Sequence, residues 1–159
     1  MAFIDISHCT TTSLDVAYII SSISGSRPIP FLTKMSPLIK YNFSGRLAGL
    51  LDDFVANGTI KSNIGSVYVD VLLKENEVKH GLHLQGKLRA ENLNAGQLIQ
   101  NTSLGELTFN STMTALIRDE SLGGSEFYID SIYLKKLEFN GYPYSNLQAT
   151  GSYVGNKFD

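Results

Sequence analysis

The chain has 159 residues, of which 43% are hydrophobic and 18% are charged, and its formal net charge is −2. This hydrophobic content argues against a disordered chain, and the lack of a basic stripe argues against a nucleic-acid partner. The sequence contains no run of about 18 apolar residues, so it predicts no membrane-spanning helix.

Residues 1–40 predict a strand, a helix and a proline-broken connector. Residues 2–7 alternate in the manner of a short strand, and residues 10–25 show helical spacing of apolar side chains. Thr12 or Ser13 is the expected N-cap of the helix. The apolar face of the helix is predicted to contain Leu14, Ala17, Tyr18 and residues 19–23.

From Tyr41 onwards the period of the apolar pattern changes to two, which is typical of half-buried strands. A turn is expected at Gly65, where glycine adopts a positive φ without steric cost, and a single helical turn is expected within residues 92–101. We therefore predict an all-β, antiparallel meander with one short N-terminal helix. The predicted strands are residues 41–49, 54–64, 67–72, 80–92, 104–117, 125–134, 137–144 and 147–154.

Glycines within the predicted strands indicate that the sheet is curved. Gly45, Gly49, Gly86 and Gly151 lie at mid-strand positions where a flat sheet favours valine or isoleucine. A groove-like sheet is the expected result. Residues 41–159 form the predicted β region, and residues 1–40 are expected to be continuous with it as one domain.

The β region also contains an imperfect repeat with an offset of about 40 residues. Gly45 aligns with Gly86 and Gly65 aligns with Gly105, each pair within a similar sequence. Repetition on this scale is typical of architectures in which each unit packs only against its neighbours.

The residue types that perform chemistry are scarce and scattered. His80 and His83 are predicted on opposite faces of a strand, so they cannot share a metal. Cys9 has no second cysteine and is expected to be a small buried hydrophobe, while Asp52 and Asp53 are interpreted as turn residues. The sequence contains neither a nucleophile elbow nor a phosphate-binding glycine loop. We therefore expect no enzyme and no metal or cofactor, but a scaffold or binding surface.

The glycine-spaced strands resemble those of the TamB and AsmA group of Gram-negative envelope proteins over roughly residues 41–159. The group has a strand of the form F-x-G-x-L-x-G followed by D-F-x-A-x-G-x-I, a later glycine–leucine element, and a closing G-Y-x-Y-x-N-L-x-x-x-G-x-Y element. Ile99 departs from the usual leucine of the second element. The matching residues are Phe43, Gly45, Leu47, Gly49, Asp53, Phe54, Ala56, Gly58, Ile60, Ser62, Gly65, Gly86, Leu88, Gly96, Leu98, Gly141, Tyr142, Tyr144, Asn146, Leu147, Gly151 and Tyr153.

The resemblance implies a segment of a long periplasmic protein whose inner-membrane anchor lies outside this chain. It also implies an open β-groove with an apolar inner face that shields phospholipid acyl chains or outer-membrane protein strands during transport and assembly. The parent protein is then expected to act alongside a BamA-like outer-membrane barrel. Edge strands of the isolated segment are expected to permit oligomers.

Candidate groove residues are the apolar side chains that alternate along the central strands. An acyl chain needs only non-directional apolar contact, so no convergent polar site is required. The candidates are Val67, Val69, Val71, Leu82, Leu84, Leu88, Leu107, Phe109, Met113, Phe127 and Ile129.

Two alternatives stay open at this point. The same alternation is compatible with a closed core, and the N-terminal helix is a candidate to cover a groove. An extracellular carbohydrate-binding or adhesion β-sandwich is the alternative function, with a line of exposed aromatic side chains as its expected mark. That line is predicted to contain Tyr128, Tyr133, Tyr142, Tyr144 and Tyr153.

Overall fold

The structure is a computed structural model that describes residues 2–16, 18, 35–36, 39–50, 53–76, 81–117, 124, 126–154 and 157–158. Within these residues, each strand is hydrogen-bonded to the next in chain order, and all pairs are antiparallel. The sheet is open, because the first and last strands are not neighbours. The predicted antiparallel, all-β meander is confirmed. The strands are β1 Ala2–Thr12, β2 Lys40–Leu50, β3 Asp53–Ser62, β4 Gly65–Asn76, β5 Gly81–Asn94, β6 Leu104–Ile117, β7 Glu126–Phe139, β8 Tyr142–Val154 and β9 Lys157–Phe158.

Two short helical segments interrupt the meander. Residues 13–16 are helical directly after β1, and Thr12 caps them: its backbone N–H donates to Asp15 Oδ2 at 3.0 Å, and the Asp15 N–H donates to Thr12 Oγ1 at 3.3 Å. The second segment, α1, spans Ala95–Ile99. Asn94 caps it by accepting a 2.9 Å hydrogen bond from Gln97 N.

Strand register divides the sheet into two chemically different faces. One row across the strands runs Ile4, Leu47, Ala56, Val71 and Gly86. We call the face that contains this row the apolar face. The opposite face is called the polar face, and the neighbouring row, which lies on it, runs Arg46, Asn57, Asp70 and Lys87.

Glycines on the apolar face permit close approach of neighbouring strands. Gly45 is paired with Gly58, and a Cβ at Gly45 would lie only 2.6 Å from Gly58 Cα. A Cβ at Gly86 would lie 2.7 Å from the Cα of its partner Val71. Real Cβ atoms do not approach a backbone this closely, so a side chain at either position would force the paired strands apart. Both positions therefore require glycine, and the curvature expected from these glycines stays a prediction.

Buried side chains form two clusters at opposite ends of the apolar face. The end cluster lies where α1, Met35 and Ile39 pack on the sheet, and the Ser36 N–H donates to Leu98 O at 3.0 Å. The second cluster, which we call the inner cluster, lies at the other end of the paired strands β4 and β5. The end cluster is Ile39, Tyr41, Ile64, Ala90 and Leu93, with Met35, Ile60, Val67, Leu98 and Phe109 packed against it. The inner cluster is Val71, Leu73 and Leu82, with Phe54, Ala56, Leu84, Leu88 and Ile117 packed against it.

Three predictions from the N-terminal region and the C-terminal strands are wrong. The predicted strand 137–144 crosses the turn at Asn140 and Gly141, and the structure has two long strands there instead of three short ones. The described part of the predicted helix face, Leu14 and Tyr18, is exposed rather than buried. Cys9 is also exposed, because it lies on the edge strand β1.

The repeated sequence does not correspond to a repeated structure. The segment between Gly45 and Gly65 contains β3, whereas the equivalent segment between Gly86 and Gly105 contains α1. The repeat therefore stays a similarity of sequence. Predictions for residues 17, 19–34, 37–38, 51–52, 77–80, 118–123, 125, 155–156 and 159 lie outside the described residues.

Candidate functional site

All eleven predicted groove residues lie on the apolar face. Val69 is paired with Leu88, and Val71 belongs to a row that continues through Gly86 and Met113 to Ile129. Shared facing follows from the register, because residues directly opposite each other in a ladder point to the same side. Val71 and Leu82 are buried, and the other nine are half-buried or exposed.

The apolar face extends beyond the predicted residues onto β7 and β8. Ile132 lies opposite Ala149, and Leu134 lies opposite Leu147. The register shift between Ile129 and Ile132 moves the facing by one residue, so a strict period of two continued from Ile129 assigns Ile132 and Leu134 to the wrong side. The spacing of three residues from Ile129 to Ile132, in place of two, is the sequence signal of this bulge.

Exposure of the apolar face rises towards β8. Ile129 is 36% exposed and Leu147 is 39% exposed. Phe127 and Tyr153 contact each other across β7 and β8, with ring centroids 6.3 Å apart. This end of the face consists of large apolar side chains in contact with solvent, whereas Leu82 in the inner cluster is 3% exposed.

The end cluster contains the buried hydroxyl group of Tyr41. Tyr41 is 8% exposed, and its hydroxyl has no hydrogen-bond partner among the described residues. Burial raises the pKa of the Tyr41 hydroxyl above its usual value of 10.0, because the phenolate is poorly solvated among apolar neighbours. The hydroxyl is a source of instability in an otherwise apolar cluster.

The polar face carries a shallow trough of about 790 Å³ across β4–β8. One register row forms its floor: Tyr68 opposite Arg89, Arg89 opposite Asn110, Asn110 opposite Tyr133, and Tyr133 opposite Gln148. A smaller cavity of about 270 Å³ adjoins it and shares Tyr68 and Arg89. Of the residues in this row, only Tyr133 belonged to a predicted set, the aromatic line of the alternative function.

Charged groups on the polar face are arranged mainly as cross-strand and same-strand pairs. Arg46 Nε lies 2.8 Å from Asp5 Oδ1, and Lys136 Nζ lies 2.9 Å from Glu106 Oε1. Arg89 is paired with Glu91 on the same strand. These side chains are partly exposed, so each pair contributes little to stability.

No cluster of three or more potential metal ligands occurs among the described residues, and no helix in the described part of the chain has the length and hydropathy to span a membrane.

Asp53 lies near Lys74, with 3.7 Å between Oδ2 and Nζ. The carboxyl group of Asp15 has a lowered pKa, because the Thr12 hydroxyl and backbone N–H donate to it. This carboxyl group is the partner of Thr12 in the helix cap described above.

No family model, no curated protein and no solved structure matches the chain.

Proposed function

We propose that this chain is a segment of a periplasmic envelope-biogenesis protein of the TamB and AsmA type, and that its apolar face shields lipid acyl chains or outer-membrane protein strands from water. The observation that carries the proposal is the continuation of the apolar face onto β7 and β8, where Ile129 and Leu147 are more than a third exposed. A contiguous exposed apolar surface on a folded protein usually marks an interaction site.

The chemistry of the face suits an acyl chain. Such a chain is held by removal of apolar area from water, at about 25 cal/mol per Å², and needs no directional bonds. Met113 and Ile129 are opposite each other on β6 and β7, and Ala149 follows opposite Ile132 on β8. The apolar surface is therefore continuous across the strands from the inner cluster to the exposed end.

The positions of the glycines support the family proposal. Gly45 and Gly58 both belong to the motifs that resemble the group, and they are directly paired. Neither position has space for a Cβ, because the backbone of the opposite strand lies too close. These motif glycines thus stand at positions where the opposite strand leaves no room for a side chain.

The edges of the sheet suit a larger assembly. β1 lies at one edge of the sheet, and the two-residue strand β9 leaves most of β8 unpaired on its outer side within the described residues. Unpaired edges accept further strands. In the proposed parent, these would be its own neighbouring strands, and a BamA-like outer-membrane barrel would be the functional partner. In the isolated segment they permit oligomers.

The alternative of a two-sheet adhesion or carbohydrate-binding sandwich has less support, because the described strands form a single sheet. Tyr128, Tyr133 and Tyr142 also do not form one line. Tyr142 lies opposite Phe139 on the apolar face, whereas Tyr133 lies opposite Asn110 on the polar face.

The proposal is tested by uptake of cis-parinaric acid and of phospholipid from vesicles by the purified chain. Ile129→Asp places a charge on the exposed end of the apolar face, and Tyr128→Asp places one on the adjacent residue of the polar face. The two side chains are similarly exposed, at 36% and 39%. We expect Ile129→Asp to weaken uptake about tenfold, because a carboxylate is costly to bury beside an acyl chain.

Tyr128→Asp is expected to bind as the unchanged chain does. Circular dichroism and thermal unfolding establish that both variants fold. No saturable uptake by the unchanged chain, or equal losses in the two variants, would overturn the proposal.

A further inference from the structure

The trough on the polar face carries a second inference that is independent of the apolar face. Its volume, about 790 Å³, lies within the range of roughly 300–1,000 Å³ that is usual for ligand sites. Its residues belong to five successive strands, so the trough runs across the strands rather than along one of them. A site of this form suits an extended ligand.

Two tyrosines line the trough at positions three strands apart. Tyr68 on β4 and Tyr133 on β7 belong to the same register row, and three strand spacings place them about 14 Å apart. Both rings are partly exposed, at 40% and 37%. Between them, Arg89 and Asn110 provide hydrogen-bond donors and an amide acceptor on the floor.

The hydroxyl groups of both tyrosines are held by asparagine side chains. Asn57 Nδ2 donates to Tyr68 Oη at 2.8 Å, and Tyr133 Oη donates to Asn146 Oδ1 at 2.7 Å. Asn146 has a φ of 57°, an uncommon conformation for a non-glycine residue within a strand. These bonds restrict the two rings before any ligand arrives, which reduces the entropy lost on binding.

Charge in and beside the trough is balanced. Lys87 lies opposite Asp70 in the ladder, and Arg89 is ion-paired with Glu91. Two acidic and two basic groups give no net field to attract a polyanion. An acyl chain is also disfavoured, because it would desolvate the amide, hydroxyl and guanidinium groups without replacing their hydrogen bonds.

We propose that this trough binds an uncharged oligosaccharide that lies across the strands from Tyr68 to Tyr133. The apolar C–H faces of two sugar rings stack on the tyrosine rings. Sugar hydroxyls between them exchange hydrogen bonds with Arg89 and Asn110, and Gln148 extends the polar floor beyond Tyr133. The inference does not rest on the lipid proposal, since the two surfaces lie on opposite faces of the sheet.

The test is isothermal titration calorimetry of the chain with cellohexaose, maltohexaose and chitohexaose, and with a heparin hexasaccharide as the charged comparison. We expect saturable binding of at least one neutral hexasaccharide and weaker binding of the heparin fragment. Tyr133→Ala should weaken that binding about tenfold through loss of stacking. Tyr133→Phe keeps the ring and should stay within about threefold of the unchanged chain.

Tyr128→Ala is the matched control. Tyr128 lies on the same strand and face as Tyr133 and is similarly exposed, but it does not line the trough. It should bind as the unchanged chain does, and thermal unfolding of each variant monitors the fold. The proposal is overturned if no neutral hexasaccharide binds, if the heparin fragment binds more tightly, or if Tyr128→Ala and Tyr133→Ala weaken binding equally.

Discussion

Leu82 on β5 and Leu147 on β8 lie on the same face of one sheet, yet Leu82 is 3% exposed and Leu147 is 39% exposed. The two leucines occupy equivalent places in the alternation of their strands. Leu82 packs within the inner cluster beside Val71 and Leu73, whereas Leu147 lies on a strand near the edge of the sheet. Alternation thus decides which face a side chain joins, and neighbouring elements decide whether that face is core or surface.

The largest expected effect is a direct test of this contrast. Leu82→Ala should lower the free energy of unfolding by about 3 kcal/mol, because it leaves a cavity among packed side chains. Leu147→Ala should cost less than about 1 kcal/mol, because its site is already solvated. Urea unfolding followed by circular dichroism measures both. Equal losses would show that β8 is packed against something in solution.

Alanine substitutions at Gly86 and Gly105 distinguish a clash with the opposite backbone from a general intolerance to substitution. Gly86→Ala should cost about 2 kcal/mol, because the new Cβ would lie 2.7 Å from Val71 Cα in the opposite strand. Gly105→Ala should cost clearly less, since its Cβ would meet the flexible side chain of Glu138 at 2.6 Å. Thermal unfolding ranks the two variants. If Gly105→Ala loses as much stability as Gly86→Ala, the role assigned to the backbone contact at Gly86 is contradicted.

Tyr41 offers a substitution that should strengthen the covered part of the apolar face. Tyr41→Phe removes a buried hydroxyl that has no hydrogen-bond partner in the described part of the chain and should raise the free energy of unfolding by about 1 kcal/mol. The exposed Tyr144→Phe should leave it unchanged. A loss of stability in Tyr41→Phe would indicate that the hydroxyl has a hydrogen-bond partner in solution.

The raised pKa of Tyr41 predicts that the stability of the fold decreases at alkaline pH. The pKa of folded Tyr41 is raised above the ordinary value of 10.0, so above that pH the unfolded chain binds fewer protons than the folded chain. The stability associated with this group is fully present below pH 10.0 and is lost as the pH rises through the folded pKa. In urea titrations at increasing alkaline pH, Tyr41→Phe should lose stability less steeply than the unchanged chain.

The smallest effect is expected on the polar face. Lys136→Ala removes the pair with Glu106, whose side chains are 44% and 36% exposed, and should cost about 0.5 kcal/mol at low salt. The cost should fall further at high ionic strength, because exposed charges are screened. A cost above about 2 kcal/mol that salt does not alter would mean that this pair is buried more deeply than the structure indicates.

The sequence predicted the side of the sheet on which a residue lies better than it predicted whether other elements bury that residue. Leu84 and Phe109 were assigned correctly to the apolar face because a period of two is a local property of an extended backbone. The predicted strand 137–144 was wrong, because apolar residues continue on both sides of the turn at Asn140 and Gly141. The exposure of Leu14 and Cys9 was also missed, since neither residue type reveals what lies opposite it.

By itself, therefore, the sequence determined the class of fold, the antiparallel meander and the side of the sheet on which each central residue lies. These features follow from local backbone geometry and from turns between consecutive strands. Only the tertiary structure decided that the meander stays one open sheet, that Gly86 faces a backbone too close for a Cβ, and that Tyr68 and Tyr133 share a trough. Such features depend on register, bulges and twist accumulated over several strands, and no short stretch of sequence encodes them.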